Sequence, residues 1–221
     1  MSSNFNELRD SLVRACHKLA AEGLFIGTGG NLSVRHGDVV ALTATGAVLG
    51  EITPEQITIT DPAGRIVDGD LVPTSESPLH LGIYQHAPAD QVRAVVHTHS
   101  TMATAVSVVL DELPVLHYQQ LVLGGSLRVA PFHAFGSLEL AAAVGQALDG
   151  RMAALMANHG AVALGANLAK AVENALLTEW LCELYVRAKT IGEPRALNAE
   201  QLQSVIAAAT ASGYGSTRKA Q

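Results

Sequence analysis

The sequence predicts an α/β protein in which helices cover a central sheet. Short runs rich in valine, isoleucine and threonine alternate with longer stretches whose apolar residues recur at helical spacing. Apolar residues make up 48% of the 221, enough for a sizeable core, and aromatics only 4%, so alanine, valine and leucine must fill it. No internal repeat, low-complexity segment or linker breaks the pattern. One domain over residues 1–221 is therefore expected, with a flexible tail from about residue 212.

Each element has its own signal. Phe5, Leu8, Leu12, Ala15, Cys16 and Leu19 recur at helical spacing and Gly23 follows as a stop, giving an opening amphipathic helix. After the flexible run Gly27-Thr28-Gly29-Gly30-Asn31 come two strands, 32–35 and 39–43. Ile57–Thr60 and Arg65–Val67 flank Asp61-Pro62-Ala63-Gly64, a hairpin signature. Thr74-Ser75-Glu76 opens a helix to about His86, and Pro78 suits its first turn. A strand leads into His97, followed by a helix over about 101–110, a strand over 127–130 and a helix over 138–148 closed by Gly150. The strand entering His159 is expected to continue past Gly160 to Leu164. A long helix spans about 168–190 and a last one about 199–211.

The net charge of −6 argues against a general nucleic-acid partner. It leaves anionic substrates open, because backbone N–H groups bind phosphate without net positive charge. Cys16 and Cys182, in helical stretches and without a Cys-x-x-Cys partner, read as buried free thiols of a reducing compartment. Met1–Asn6 is polar and no run of 18 apolar residues occurs, so a cytoplasmic protein without a membrane span is expected.

The chemistry concentrates in His97-Thr98-His99. Residues two apart on a strand face the same way, so these imidazoles can grip one ion from one side. His159 ends another apolar run, and three histidines with an open fourth position are the pattern of a catalytic zinc site. The competing reading is that of hydrogen-bonded histidines at strand ends. Glu76 becomes a candidate general base if it faces the histidines; otherwise it is a first-turn glutamate of a helix capped by Ser75. Thr74 and Ser75 offer hydroxyls at a helix N-terminus, where an anion is favoured. Gly27–Asn31 reads as an anion cradle or a plain turn, and Thr43-Ala44-Thr45-Gly46 as a hydroxyl-bearing strand end or an ordinary turn. Tyr118 and Tyr214 read as packing or surface residues, and Tyr214, in the tail, alternatively as a mobile proton donor. His17, His36, His80, His86, His117 and His133 share no comparable spacing and read as structural or surface residues.

Taken in order, Gly27–Arg35, Thr43–Gly46, Pro73–Glu76, His97-Thr98-His99 and His159-Gly160 resemble the class II aldolase and aldolase-like epimerase family, which also includes the adducin head domain. The likeness covers essentially the whole chain. It implies a three-layer α/β/α fold around a largely antiparallel or mixed sheet, and a C4 homotetramer with active sites between subunits. It implies Zn2+, with Mn2+ or Co2+ as alternatives, held by His97, His99, His159 and Glu76, with Glu76 doubling as acid/base. Asn31, Thr45, Gly46, Thr74 and Ser75 match the phosphate pocket, and Tyr118 and Tyr214 of a neighbouring subunit match catalytic tyrosines. The activity implied is reversible cleavage of a ketose 1-phosphate, such as L-fuculose 1-phosphate, to dihydroxyacetone phosphate and an aldehyde such as L-lactaldehyde. The family's sugar-phosphate 4-epimerases, dehydratases and decarboxylases are the enzymatic alternatives, and an adducin-like scaffold the non-enzymatic one. Leu116-His117-Tyr118 and Gly213-Tyr214-Gly215 resemble the aldolase branch. Thr74 in place of serine, Asn158 in place of histidine and the Ser77-Pro78-Leu79 stretch depart from it.

Overall fold

The computed structural model describes residues 2–212. In chain order these form α1 (Ser2–Ala21), β1 (Asn31–His36), β2 (Val39–Thr43), β3 (Ile57–Thr60), β4 (Ile66–Asp68), α2 (Ser77–His86), β5 (Ala94–Thr98), α3 (Thr101–Ser107), β6 (Glu112–Leu113), β7 (Leu127–Ala130), α4 (Leu138–Ala147), β8 (Ala153–Met156), β9 (Gly160–Gly165), α5 (Leu168–Ile191) and α6 (Ala199–Ser212). The strands make one sheet in the order β4-β3-β2-β1-β5-β9-β8-β7-β6. Every neighbouring pair is antiparallel except β7 and β8.

Alternation along the strands splits the core in two. Leu32 and Val34 of β1, Ala94 and Val96 of β5 and Ala163 of β9 pack toward Leu12 and Leu19 of α1, Val106 of α3 and Leu181 of α5. Val95, Val162 and Leu164 pack the opposite way, toward Leu79 and Ile83 of α2 and Leu140 and Val144 of α4. Each fully buried leucine here contributes about 1.5–3 kcal/mol relative to exposure. The result is the expected three-layer mixed α/β architecture. Among the described residues no helix is long and apolar enough to cross a membrane.

Three local expectations are corrected. The run through His159 is not one strand. β8 stops at Met156, Asn158 takes a left-handed φ of 58°, and β9 returns antiparallel from Gly160. Asparagine tolerates that conformation, and the apolar residues on both sides conceal the turn. Helix α2 begins at Ser77 rather than Thr74, because Thr74 N–H is spent on Thr43 O and the 72–74 segment is tied to the end of β2. Helix α3 ends at Ser107 rather than near Leu110, leaving Val109 74% exposed. The short strand β6 and two 3-10 turns, Pro54–Gln56 and Tyr118–Leu123, carry too few residues to announce themselves.

Candidate metal centre

Antiparallel pairing of β1 with β5 sets Asn31 opposite His97, and β5 pairs on its other side with β9, opposing His97 to Val162. His97 and His99 leave the end of β5, and His159 closes the β8–β9 turn beside them. The three Nε2 atoms converge: His97 and His99 are 2.9 Å apart and His99 and His159 3.1 Å. Glu76, the residue before α2, brings Oε2 to 3.0 Å from His97 Nε2 and Oε1 to 3.6 Å from His159 Nε2. One ligand atom from each of the four lies within 4.8 Å of the others.

The donor set fits a divalent cation. His97 Nδ1–H donates to Ala161 O at 2.9 Å, so a neutral His97 ring presents a bare Nε2 to the cluster. Three imidazole edges facing one another, with a carboxylate above them, leave more acceptors than protons. Glu76 Oε1 is buried without a hydrogen-bond partner among the described residues, and such a group is costly unless an ion satisfies it. Burial, the charge of His97 and that of His159 lower the His99 pKa to about 4, against the opposing pull of Glu76. Burial and His97 lower that of His159 too, again against Glu76. Both rings are therefore in the neutral, ligating form. Burial by itself would raise the Glu76 pKa. A second proton on His97, taking the place of a cation at Nε2, would outweigh it through its charge and hydrogen bond, together with the Asn31 amide and His159, and hold the carboxyl well below the usual range.

Neighbouring elements fix these groups. Glycine is required in the 27–31 loop: a Cβ on Gly29 would lie 2.7 Å from His99 Nδ1. Just beyond His99, the Glu179 carboxylate of α5 accepts from Met102 and Ala103 N–H at 2.8 Å each, pinning the start of α3.

Of the residues expected to form a phosphate pocket, Asn31 donates to Glu76 Oε2 and Thr74 Oγ1 accepts from Glu76 N–H, while backbone bonds tie the Thr45 and Thr74 segments to each other and to the end of β2. Leu32 N–H donates to Thr43 Oγ1, Thr45 N–H to Val72 O, and Thr74 N–H to Thr43 O. Thr45, Gly46 and Ser75 are exposed, whereas Asn31 and Thr74 are buried. Tyr118 lies on a different part of the molecule, in the turn after the edge strand β6, four positions along the sheet from β5. It is 38% exposed, its ring is 4.4 Å from that of His117, and His117 packs on Trp180. Tyr214 lies outside the described residues.

Sequence reasoning passed over His80. It is fully buried and binds Asn31 Oδ1 through Nε2 at 2.5 Å and Ser33 Oγ through Nδ1 at 2.7 Å. The signal in the sequence was a spacing of four: His80 and Tyr84 lie one turn apart on α2, and Glu76 stands four residues before His80, just ahead of the helix. Burial, reinforced by His97 and opposed by Glu76, lowers the His80 pKa to about 3.

A metal-ready cluster of histidines and glutamate, at the strand ends of an α/β sheet, defines a metal-dependent enzyme class. Comparison with known proteins makes it specific. Residues 10–186 match the family model described as Class II Aldolase and Adducin N-terminal domain. A 5-deoxy-D-ribulose 1-phosphate aldolase of Bacillus thuringiensis is 34% identical over 209 residues, 94% of this chain and 96% of that protein. An L-fuculose phosphate aldolase of Escherichia coli K12 is 37% identical over 190 residues, 86% and 87% of the two chains. A solved L-fuculose 1-phosphate aldolase superposes with a TM-score of 0.86 at 34% identity, covering 92% of this chain and 96% of the other. The chain belongs to the class II aldolase family, and its enzyme class is that of the metal-dependent aldehyde-lyases.

Proposed function

We propose that the chain reversibly cleaves a ketose 1-phosphate between C3 and C4, giving dihydroxyacetone phosphate and an aldehyde, and that zinc occupies its metal centre. The observation that carries this reading is the meeting of His97, His99 and His159 with the Glu76 carboxylate, a proton carrier beside a cation site. A divalent cation held by these residues supplies Lewis-acid stabilisation of the negative charge that develops on the substrate oxygens. Asn31, Thr45, Gly46, Thr74 and Ser75 hold the phosphate and set the register of the three-carbon half. Glu76 delivers a proton to C3 in cleavage and removes it in synthesis. Tyr118 and Tyr214 of an adjoining subunit serve the C4 oxygen in a homotetramer. Exposed Ile26, Phe132, Phe135 and Leu138, each at least 66% accessible in the isolated chain, support such an assembly.

The two relatives act, by name, on L-fuculose phosphate and 5-deoxy-D-ribulose 1-phosphate. For 1-phosphates of both ketoses, C3–C4 cleavage gives the same three-carbon phosphate with different aldehydes, L-lactaldehyde being the first to test. A panel of ketose 1-phosphates with product identification tests the reaction. Glu76→Gln is expected to slow exchange of solvent hydrogen into the C3 position of dihydroxyacetone phosphate at least ~100-fold while zinc stays bound. Exchange at the original rate would remove Glu76 from the proton transfer.

A further inference from the structure

Behind Glu76 a file of buried polar side chains runs away from the metal centre. Asn31 Nδ2 donates to Glu76 Oε2 at 2.9 Å. Asn31 Oδ1 meets His80 Nε2 at 2.5 Å, His80 Nδ1 meets Ser33 Oγ at 2.7 Å, and Ser33 Oγ meets Tyr84 Oη at 2.8 Å. All are at most 5% exposed. With His80 neutral, only one hydrogen arrangement serves the whole file. A carboxylate accepts, so the Asn31 amide must turn its NH2 toward Glu76 and its oxygen toward His80. His80 must then carry its proton on Nε2 and accept at Nδ1, which takes the Ser33 hydroxyl proton. The opposite tautomer would flip the amide and set its oxygen against the carboxylate.

We propose that His80 is a positioning residue. Locked by Ser33 and Tyr84, it orients the Asn31 amide, and through it the Glu76 carboxylate that moves the proton. This rests on the reading of Glu76 given above.

The test compares His80→Leu, His80→Gln and His80→Asn with Glu76→Gln and the unaltered protein. It reads hydrogen exchange into dihydroxyacetone phosphate, the KM for that compound, Co2+ uptake by the metal-free protein and thermal stability. Glutamine places an amide N–H near the former Nε2 and can still donate to Asn31; asparagine is too short. The expected result is exchange slowed fivefold or more in His80→Leu, with KM changed less than threefold and Co2+ uptake intact. His80→Gln should recover most of the rate, and His80→Asn should not. Exchange within fivefold of the original in His80→Leu overturns the proposal, as does loss of Co2+ uptake in step with the rate, which marks a merely structural role. Should His80→Leu not fold, the glutamine and asparagine variants decide: asparagine equal to or better than glutamine overturns it. Persistent exchange in Glu76→Gln overturns instead the reading on which the proposal rests.

Discussion

At the scale of single residues, burial and neighbouring charges displace the protonation equilibria of Glu76, His80, His99 and His159. His80 and His99 have pKa values lowered to about 3 and about 4. In both, the folded value lies below the ordinary 6.5, so as pH falls the unfolded chain binds protons first. The stability contributed by the neutral rings is complete above about pH 6.5 and is lost as pH falls toward about 4 and then about 3. The melting temperature of the metal-free protein should therefore drop steadily between about pH 7 and about pH 4.5, as read by calorimetry. A flat profile over that range would contradict the burial that lowers these values. The two strand-borne histidines were legible because a spacing of two on a strand has one geometric meaning. His80 was not, because its importance comes from Asn31 and Ser33, which lie 49 and 47 residues away. Glu76 was readable only conditionally, since a helix-start glutamate is common and its facing partners come from other strands.

Among the elements, the β8–β9 hairpin shows why a correct motif can sit in a wrongly expected setting. A Cβ on Gly160 would lie 2.1 Å from Thr98 O, so β9 approaches the end of β5 through a glycine that nothing larger replaces. Neither side can yield, because both contacts are backbone. Gly160→Ala should cost about 3 kcal/mol or more in a urea titration and loosen the hold of His159 on a metal. Gly145, in the last turn of α4, is the contrast: an added Cβ there meets nothing within 4 Å. Gly145→Ala should leave metal uptake unchanged and stabilise the protein by about 0.5–1 kcal/mol. Long helices such as α5 were readable from their own residues, their ends within a residue or two. The start of α2 was not, because the backbone of Thr74 is captured by β2, a partner 31 residues earlier.

For the whole molecule, alternating helices and strands disclosed the layers but not the strand order, which places β1 between β2 and β5 and leaves β6 at an edge. Such pairings are decided by long-range packing rather than local preference. The same holds for Tyr118: it lies beyond an edge strand, and the role proposed for it at the C4 oxygen requires an adjoining subunit, which no local pattern reveals. A cation tying together β5, the β8–β9 turn and the start of α2 should stabilise the native state by mass action. Treatment with a chelator is expected to lower the melting temperature, abolish cleavage and leave no borohydride-trapped lysine adduct with dihydroxyacetone phosphate; readdition of Zn2+ should restore both properties. A trapped adduct would assign the chemistry to an amine instead.

The four groups of the metal centre are dispersed from residue 76 to residue 159, and the central strand that follows the last of them continues to Gly165. A chain still emerging from the ribosome thus has no complete trap for an ion until most of its length has been synthesised. During synthesis, therefore, a fully ligated metal cannot nucleate folding before residue 159 has been made.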